Sequence, residues 1–454
     1  MKVSTRALIR PPGRAAKEVI EKVKRFEMPI TGILFHAESD WPIVFAEGKG
    51  AVLKDFEGNE YIDFNGGFGS ASTGYCHPTV VKYVKEQVEK LTMAGGRLLH
   101  PIRAELAEKI VSISPGGSNK KVLIANTGTE AVEIGIKLSH ASTGKPEIIA
   151  FQGGFHGRFH GAMALSSNRT VKKGFYPWMP SVIHVPYAEC FRCAFGKEYP
   201  DCDLQCLRYV ERVMTDPGSG ASDIAAVFVE PIQGFEGFAV VPPDKFMPEL
   251  RKICDRNNIL LVADEVYSGF GRTGKWFASQ HYDVVPDIIT SGKGAASGLP
   301  FSCIIALDHV VKKLNEKGVI HSATFLANPV SCAAAVGTLK AIEEENLLDN
   351  CVKTGEILLR GLRNWFEDNK FQGEVRGKGL FIGVEFVEDI NSKKPDTKLS
   401  DKISREAIKR GLFVEVGGRY KNCLRITPPL VITMDQINKS LDILEEAAKA
   451  IKAS

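Results

Sequence analysis

The sequence has no apolar run that approaches a membrane span in length, so no segment of it reads as a transmembrane helix. It also lacks an excess of one charge. Lys and Arg number 58 against 54 Asp and Glu, a formal net charge of +4 over 454 residues. That balance gives no argument for a nucleic-acid partner. The first residues, MKVSTRALIRPPGRAAKE, are basic but contain no apolar core of signal-peptide length. Helix-like sequence (EVIEKVKRF) follows at once, and the start is read as a short cytoplasmic arm. Internal repeats and low-complexity tracts are missing too, which speaks against solenoids and disordered linkers. What is present is an ordinary globular balance, 44% hydrophobic and 25% charged, in a chain long enough for two or three domains.

Cysteine is the one residue with an uneven distribution. Of ten, six are dispersed in apolar contexts, such as Cys254, Cys303 and Cys332, and are read as small hydrophobes. The other four, Cys190, Cys193, Cys202 and Cys206, form C-x2-C and C-x3-C pairs eight residues apart. Zinc binding, disulfides and simple packing all remain open for them. The cluster lies on an excursion between strands, away from the charged strand ends described next. It is read as structural, and no metal is assigned to the functional site.

Those strand ends organise the chain. In ILLVADEVYSGFGRTGKW, the apolar run Ile259 to Ala263 ends in Asp264 and Glu265. In DIITSGKG, Ile288 and Ile289 lead to Thr290, Ser291, Gly292 and Lys293. Short apolar runs bounded by Gly and polar residues read as buried parallel strands. Open α/β sheets bind ligands at the carboxyl ends of such strands. A carboxylate at one end and a glycine-flanked amine at another suit a Schiff-base cofactor, the lysine holding an aldehyde and the carboxylate a protonated pyridine. The plainer reading is a buried ion pair.

Around this stretch, seven strand candidates between Val122 and Leu307 alternate with helices: VLIAN, EIIAF, VIHV, AAVFV, ILLVA, DIIT and SCIIAL. The pattern predicts a mainly parallel sheet with helices on both faces. Before it, residues 45–64 predict a β-meander turning at Gly50 and Gly58, followed by a Gly-rich loop. After it, Asn328 and Pro329 predict a helix N-cap and first position. The remainder mixes helices with the strands GLFIGVEF, LFVEV and CLRI, a smaller α+β domain whose last helix opens with a capping box, Thr433 to Gln436.

Several strand ends carry polar residues. Thr127, Gly128 and Thr129 lead into a helix, which makes either a phosphate cradle or a plain N-cap. In GGFHGR, Phe155 lies between glycines, either flat against a ring or as a core Phe in a tight turn, and His156 is read as structural. Glu230 ends AAVFV, and Arg425 in CLRITPPL is the guanidinium matched with it. For each of these two the plain alternative is an ordinary ion pair.

Together these motifs resemble the class III aminotransferases, pyridoxal-phosphate enzymes of fold type I. NTGTEA, FHGR, EP-x-QG, LLVADEV-x-x-GFGRTG, SGKG, TF-x-x-NP and LRITPPL occur in that order, and the likeness runs from about Phe45 to the C-terminus. The cysteine-rich stretch is similar to the archaeal 4-aminobutyrate-type branch and its amino-acid racemase relatives. The resemblance implies a large cofactor domain over 76–340, a small domain over 341–454, and an N-terminal segment, 1–75, contributing to the small one. It implies that Lys293 carries pyridoxal 5′-phosphate and shuttles the proton, and that Asp264 pairs with the pyridine nitrogen. Gly128 and Thr129 would hold the phosphate, with Phe155 and Val266 on the two faces of the ring. Thr324 would reach the phosphate of a neighbouring subunit, which implies a homodimer, or a larger assembly, with shared sites. Arg425 would bind an α-carboxylate, Glu230 would neutralise Arg425 when an ω-amine binds, and Arg158 would meet a distal carboxylate. The implied reaction moves an amino group from an ω-amino or α-amino acid, 4-aminobutyrate- or ornithine-like, to a 2-oxo acid such as 2-oxoglutarate. A racemase or epimerase on the same scaffold is the alternative. The chain departs from the family pattern at Tyr267 (usually Gln), at Phe235 in EPIQGFEGF, at Phe159, and at Ala323 and Leu326 in ATFLANP. These changes predict a more apolar pocket.

Overall fold

The computed structural model describes residues 8–29 and 38–453, so part of the basic N-terminal arm lies outside the described residues. The strands are β1 (Phe45–Lys49), β2 (Val52–Asp55), β3 (Glu60–Asp63), β4 (Lys120–Ala125), β5 (Glu147–Phe151), β6 (Val182–Val185), β7 (Ile224–Val229) and β8 (Leu260–Glu265). They continue with β9 (Ile288–Ser291), β10 (Ser302–Leu307), β11 (Gly373–Lys378), β12 (Phe381–Phe386), β13 (Leu412–Phe413), β14 (Glu415–Gly417) and β15 (Cys423–Ile426).

The expected seven-stranded sheet is present, in the order β4-β10-β9-β8-β7-β5-β6. Every strand candidate between Val122 and Leu307 is one of its members. β10 runs antiparallel to both β4 and β9, and the other pairs are parallel. All six residues of β7 are buried. Helices covering both faces leave no solvent side, which is why these strands read as unbroken apolar runs. One face packs Ile149, Val227 and Leu261 against Phe246 and Leu250 of the helix Phe246–Arg256. The other packs Ile148, Phe228 and Val262 against Ile134 and Val132 of the helix Gly128–Thr143.

The second layer is the antiparallel sheet β11-β12-β15-β14, backed by the helices Leu347–Asp368, Thr397–Ile408 and Met434–Lys452. The predicted meander forms β1 to β3 and turns at Gly50 (φ +58°) and Gly58 (φ +83°). It joins the C-terminal half through β13, with Leu412 opposite Ile62 in a parallel pair. LFVEV is therefore two strands rather than one. Leu412–Phe413 serves the meander, Glu415–Gly417 serves β15, and the fully buried Val414 lies in the core that both sheets share. β11 carries no apolar alternation in its sequence, GEVRGK, yet it pairs along its whole length with β12.

Two helix starts follow their sequence signals. Thr433 and Gln436 form the reciprocal capping box. The Asn328 side chain accepts from the amides of Val330 (2.9 Å) and Ser331 (3.2 Å) at the start of the helix Pro329–Glu344, with Pro329 in the first turn. Removing such a cap costs about 1 kcal/mol. Asn328→Ala is expected to lower the unfolding free energy by about that amount, and Asn328→Asp to retain most of it. Denaturant midpoints of the two variants provide the check, and equal midpoints would remove the role given to the cap.

Candidate active site

β4, β5, β7, β8 and β9 share one direction, so their carboxyl ends meet along one edge of the sheet. Each end supplies part of one cavity. Gly128, Thr129, Phe155, Glu230, Asp264, Val266 and Lys293 all line it, and His156, Gly157, Phe235 and Tyr267 complete the wall. A larger open groove of about 590 Å³, beside Pro115, Trp276 and Leu348, contains none of them.

β4 leads into the helix Gly128–Thr143, whose N-cap Thr127 accepts from the Glu130 amide. Amides in a first helical turn lack intrahelical acceptors and attract anions. Gly128 is required by closeness: a Cβ there would stand 2.6 Å from Cγ1 of Val266, at the end of β8. This contact draws the helix start against the strand that carries Asp264.

Asp264 and Glu265 face opposite ways, as neighbours on a strand must. Glu265 accepts from the amides of Ala278 (2.6 Å) and Ser279 (2.8 Å) and from Oγ of Ser268 (2.9 Å), a structural role away from the cavity. Asp264 accepts the Val266 amide at 3.0 Å and meets Nδ1 of His156 at 2.7 Å. Burial alone would lower the His156 pKa, but the Asp264 carboxylate outweighs it and the net shift is upward. Asp264 is therefore buried and held from two sides, and His156, which carries no distinguishing local pattern, fixes its position. The pairing joins residues 108 apart in sequence, so no local pattern signals it.

Glu230 is 5% exposed and accepts from the amides of Phe155 (2.9 Å) and Gly234 (2.8 Å). Burial pushes its carboxyl up to about 7. The expected pair between Glu230 and Arg425 is not formed. Arg425 instead meets Glu415 at 3.1 Å. The reason lies in strand register, because Glu415 on β14 stands directly opposite Arg425 on β15. Arg425 lies over the rings of Phe68 (5.1 Å) and Phe235 (5.7 Å). The exposed Arg158 places its guanidinium 5.8 Å from the centroid of the Phe155 ring. Thr324 is exposed and lies outside the cavity, in a separate open groove with Ala94 to Leu98.

Lys293 has φ +39°, a left-handed conformation unusual for a residue with a Cβ. It follows β9 directly and brings its amine to the cavity, 4.2 Å from the ring centroid of Tyr267. Burial pushes the amine down to about 8.

The four clustered cysteines are all free, Cys190 exposed and the others half-buried. Among the described residues no three His, Cys, Asp or Glu side chains are arranged to hold a metal, so the zinc option finds no assembled ligand set. Of the six dispersed cysteines, Cys76 is exposed and departs from the expected packing role, while the other five are buried. Among the described residues, no helix is long and apolar enough to cross a membrane.

The sheet, the crossover order and the charged strand ends define a pyridoxal-phosphate enzyme of fold type I. The sequence model of the family Aminotransferase class-III matches residues 34–448, and the chain belongs to that family. An alanine/serine racemase of Pyrococcus horikoshii is 42% identical over 97% of this chain and 92% of its own length. An acetylornithine aminotransferase of Methanopyrus kandleri is 38% identical over 91% of this chain and 96% of its own. The crystal structure of an omega transaminase from Pseudomonas jessenii in complex with PMP superposes with a TM-score of 0.87 at 27% identity, covering 96% of this chain and 98% of that one.

The cofactor of the family is pyridoxal 5′-phosphate, and the cavity suits it. The first turn at Gly128 and Thr129 offers amides for a phosphate. The Asp264 carboxylate, backed by His156, offers a fixed negative charge for a pyridinium. Phe155 and Val266 offer two apolar surfaces, and Lys293 offers the amine.

Two outcomes test this arrangement. Borohydride reduction of the holoenzyme is expected to fix the cofactor to the peptide containing Lys293, and label on another lysine would end the assignment. Asp264→Asn is expected to retain the cofactor while slowing proton removal from the substrate carbon by about 100-fold, because an amide cannot balance the pyridinium charge. Stopped-flow absorbance of one half-reaction reads this, and an unchanged rate would show that the ring nitrogen lies elsewhere.

Proposed function

We propose that the chain transfers an amino group from an amino acid to a 2-oxo acid, with 2-oxoglutarate as the acceptor to test first. One observation carries this reading: the buried Lys293 amine, the Asp264 carboxylate and the helix start at Gly128 and Thr129 line a single cavity. Arg425, over the ring of Phe235 in the wall of that cavity, suits a substrate whose carboxylate adjoins its reacting carbon, an α-amino acid or its 2-oxo counterpart.

When bound, the cofactor supplies an aldehyde for the substrate amine and an electron-withdrawing ring beside the substrate carbon. The chain does the rest. Asp264, held by His156, keeps a negative charge at the ring nitrogen. Lys293, with its amine near 8, accepts a proton from the substrate carbon and can return it from the same side. Phe155 and Val266 hold the stack, and Arg425 orients the carboxylate. Thr324, exposed outside its own cavity, is assigned to the phosphate of a second subunit, so the working form is a homodimer.

A racemase is the second reading, and two features of the site favour it. Glu230, raised to about 7, is a second acid–base group in the same cavity. Arg425 pairs with Glu415 here rather than with Glu230. The likeness to an alanine/serine racemase points the same way.

Purified holoenzyme incubated with a panel of L-amino acids, with and without 2-oxoglutarate, separates the readings. Glutamate formed only with the acceptor is the expected result. D-enantiomer formed without acceptor, and no glutamate, would hand the case to the racemase. Because Glu230 holds the Phe155 and Gly234 amides, Glu230→Ala is expected to slow half-reactions with α-amino and ω-amino donors alike, by roughly tenfold, the scale of losing a charge-assisted hydrogen bond. A loss confined to ω-amino donors would restore the switch between Glu230 and Arg425.

A further inference from the structure

The family pattern has Gln after DEV, and this chain has Tyr267. The replacement does not simply fill space. Its ring stacks in parallel on Phe381, with centroids 4.8 Å apart and planes 3° apart, and Phe238 meets it edge-on at 6.0 Å. Gly69 and Gly234 close on its rim, where an added Cβ would stand 2.9 Å and 3.1 Å from ring carbons. Tyr267 is 7% exposed and wedged into one orientation. The amine of Lys293 lies over the ring at 4.2 Å from its centroid. The negative face of a fixed aromatic ring attracts an ammonium and not a neutral amine.

We propose that Tyr267 is a positioning residue whose ring face holds the free Lys293 amine in its protonated form between proton transfers. The inference rests on Lys293 being the base of the reaction. The proton itself moves between the substrate carbon and the lone pair of Nζ, and Tyr267 neither gives nor takes one. Its ring offers the ammonium a defined resting place.

Other groups act on the same amine. Burial lowers its pKa, Asp264 on β8 and Glu230 after β7 raise it, and Arg425 on β15 lowers it further. The ring works with the two carboxylates against burial. Removing its face therefore shifts the amine to still lower pKa, so that less ammonium is present at neutral pH.

The test uses the full-length chain after removal of the cofactor. Competitive acetylation with acetic anhydride, followed by mass spectrometry of the Lys293 peptide, gives the titration midpoint of that one amine. Tyr267→Leu is expected to lower the midpoint by roughly one pH unit, and Tyr267→Phe to keep it at the wild-type value. Leucine could disturb the packing, so a second series keeps the shape. Phenylalanine with one, two or three ring fluorines at position 267 removes the negative face stepwise, and the midpoint should fall with each fluorine. A midpoint indifferent to fluorination, or a fall in Tyr267→Phe as large as in Tyr267→Leu, would overturn the proposal. If borohydride labels another lysine, the reading beneath it fails instead, and the two failures are distinguishable.

Discussion

The site depends on one buried contact, the 2.7 Å pair between His156 and Asp264. Side-chain exposures of 1% and 4% place both partners out of water. An isolated carboxylate there would be forced towards its neutral form, and a neutral acid cannot balance a pyridinium. The histidine gives this carboxylate a buried partner, and the Val266 amide fixes its direction. Both partners come from strand ends, β5 followed by a glycine-rich turn and β8. The sheet order, which puts β7 between β5 and β8, sets the spacing they span. Glu230, at the end of that intervening strand, then falls between them and takes the Phe155 amide.

The large sheet was legible in the sequence because burial on both faces makes its strands unbroken apolar runs. The helix starts at Asn328 and Thr433 were legible because a cap is a local contact, made within three residues. The residues now found around the cavity were legible through the motifs that carry them. The pairings among those residues were not. His156 looks like any lone histidine until β8 is placed beside it. Arg425 has several carboxylates to choose from in sequence, and only the register of β14 on β15 selects Glu415. β11 was missed because a polar edge strand such as GEVRGK has no alternation to read. LFVEV reads as one strand because its pattern does not show that it serves two sheets.

The same register explains why Arg425 is only partly neutralised. Arg425 is 8% exposed, with a 3.1 Å hydrogen bond from Nη2 to Glu415. Among the described residues its Nε is buried without a hydrogen-bond partner. A buried donor left unpaired costs about 1–3 kcal/mol. Folding tolerates such a cost where binding can recover it. The rings of Phe68 and Phe235 over the guanidinium exclude water from the same place, and a drier setting strengthens each charge–charge contact made there. Glu415 lowers the cost of keeping the cation, and the unpaired Nε leaves a reason for a second carboxylate to enter. Under the proposed reading, an amino acid with its carboxylate beside the reacting carbon would bring that group to Arg425. An ω-amine has no such group at that distance and leaves the donor unpaired. A carboxylate beside the reacting carbon would thus be met by an unsatisfied nitrogen and the two rings packed over it.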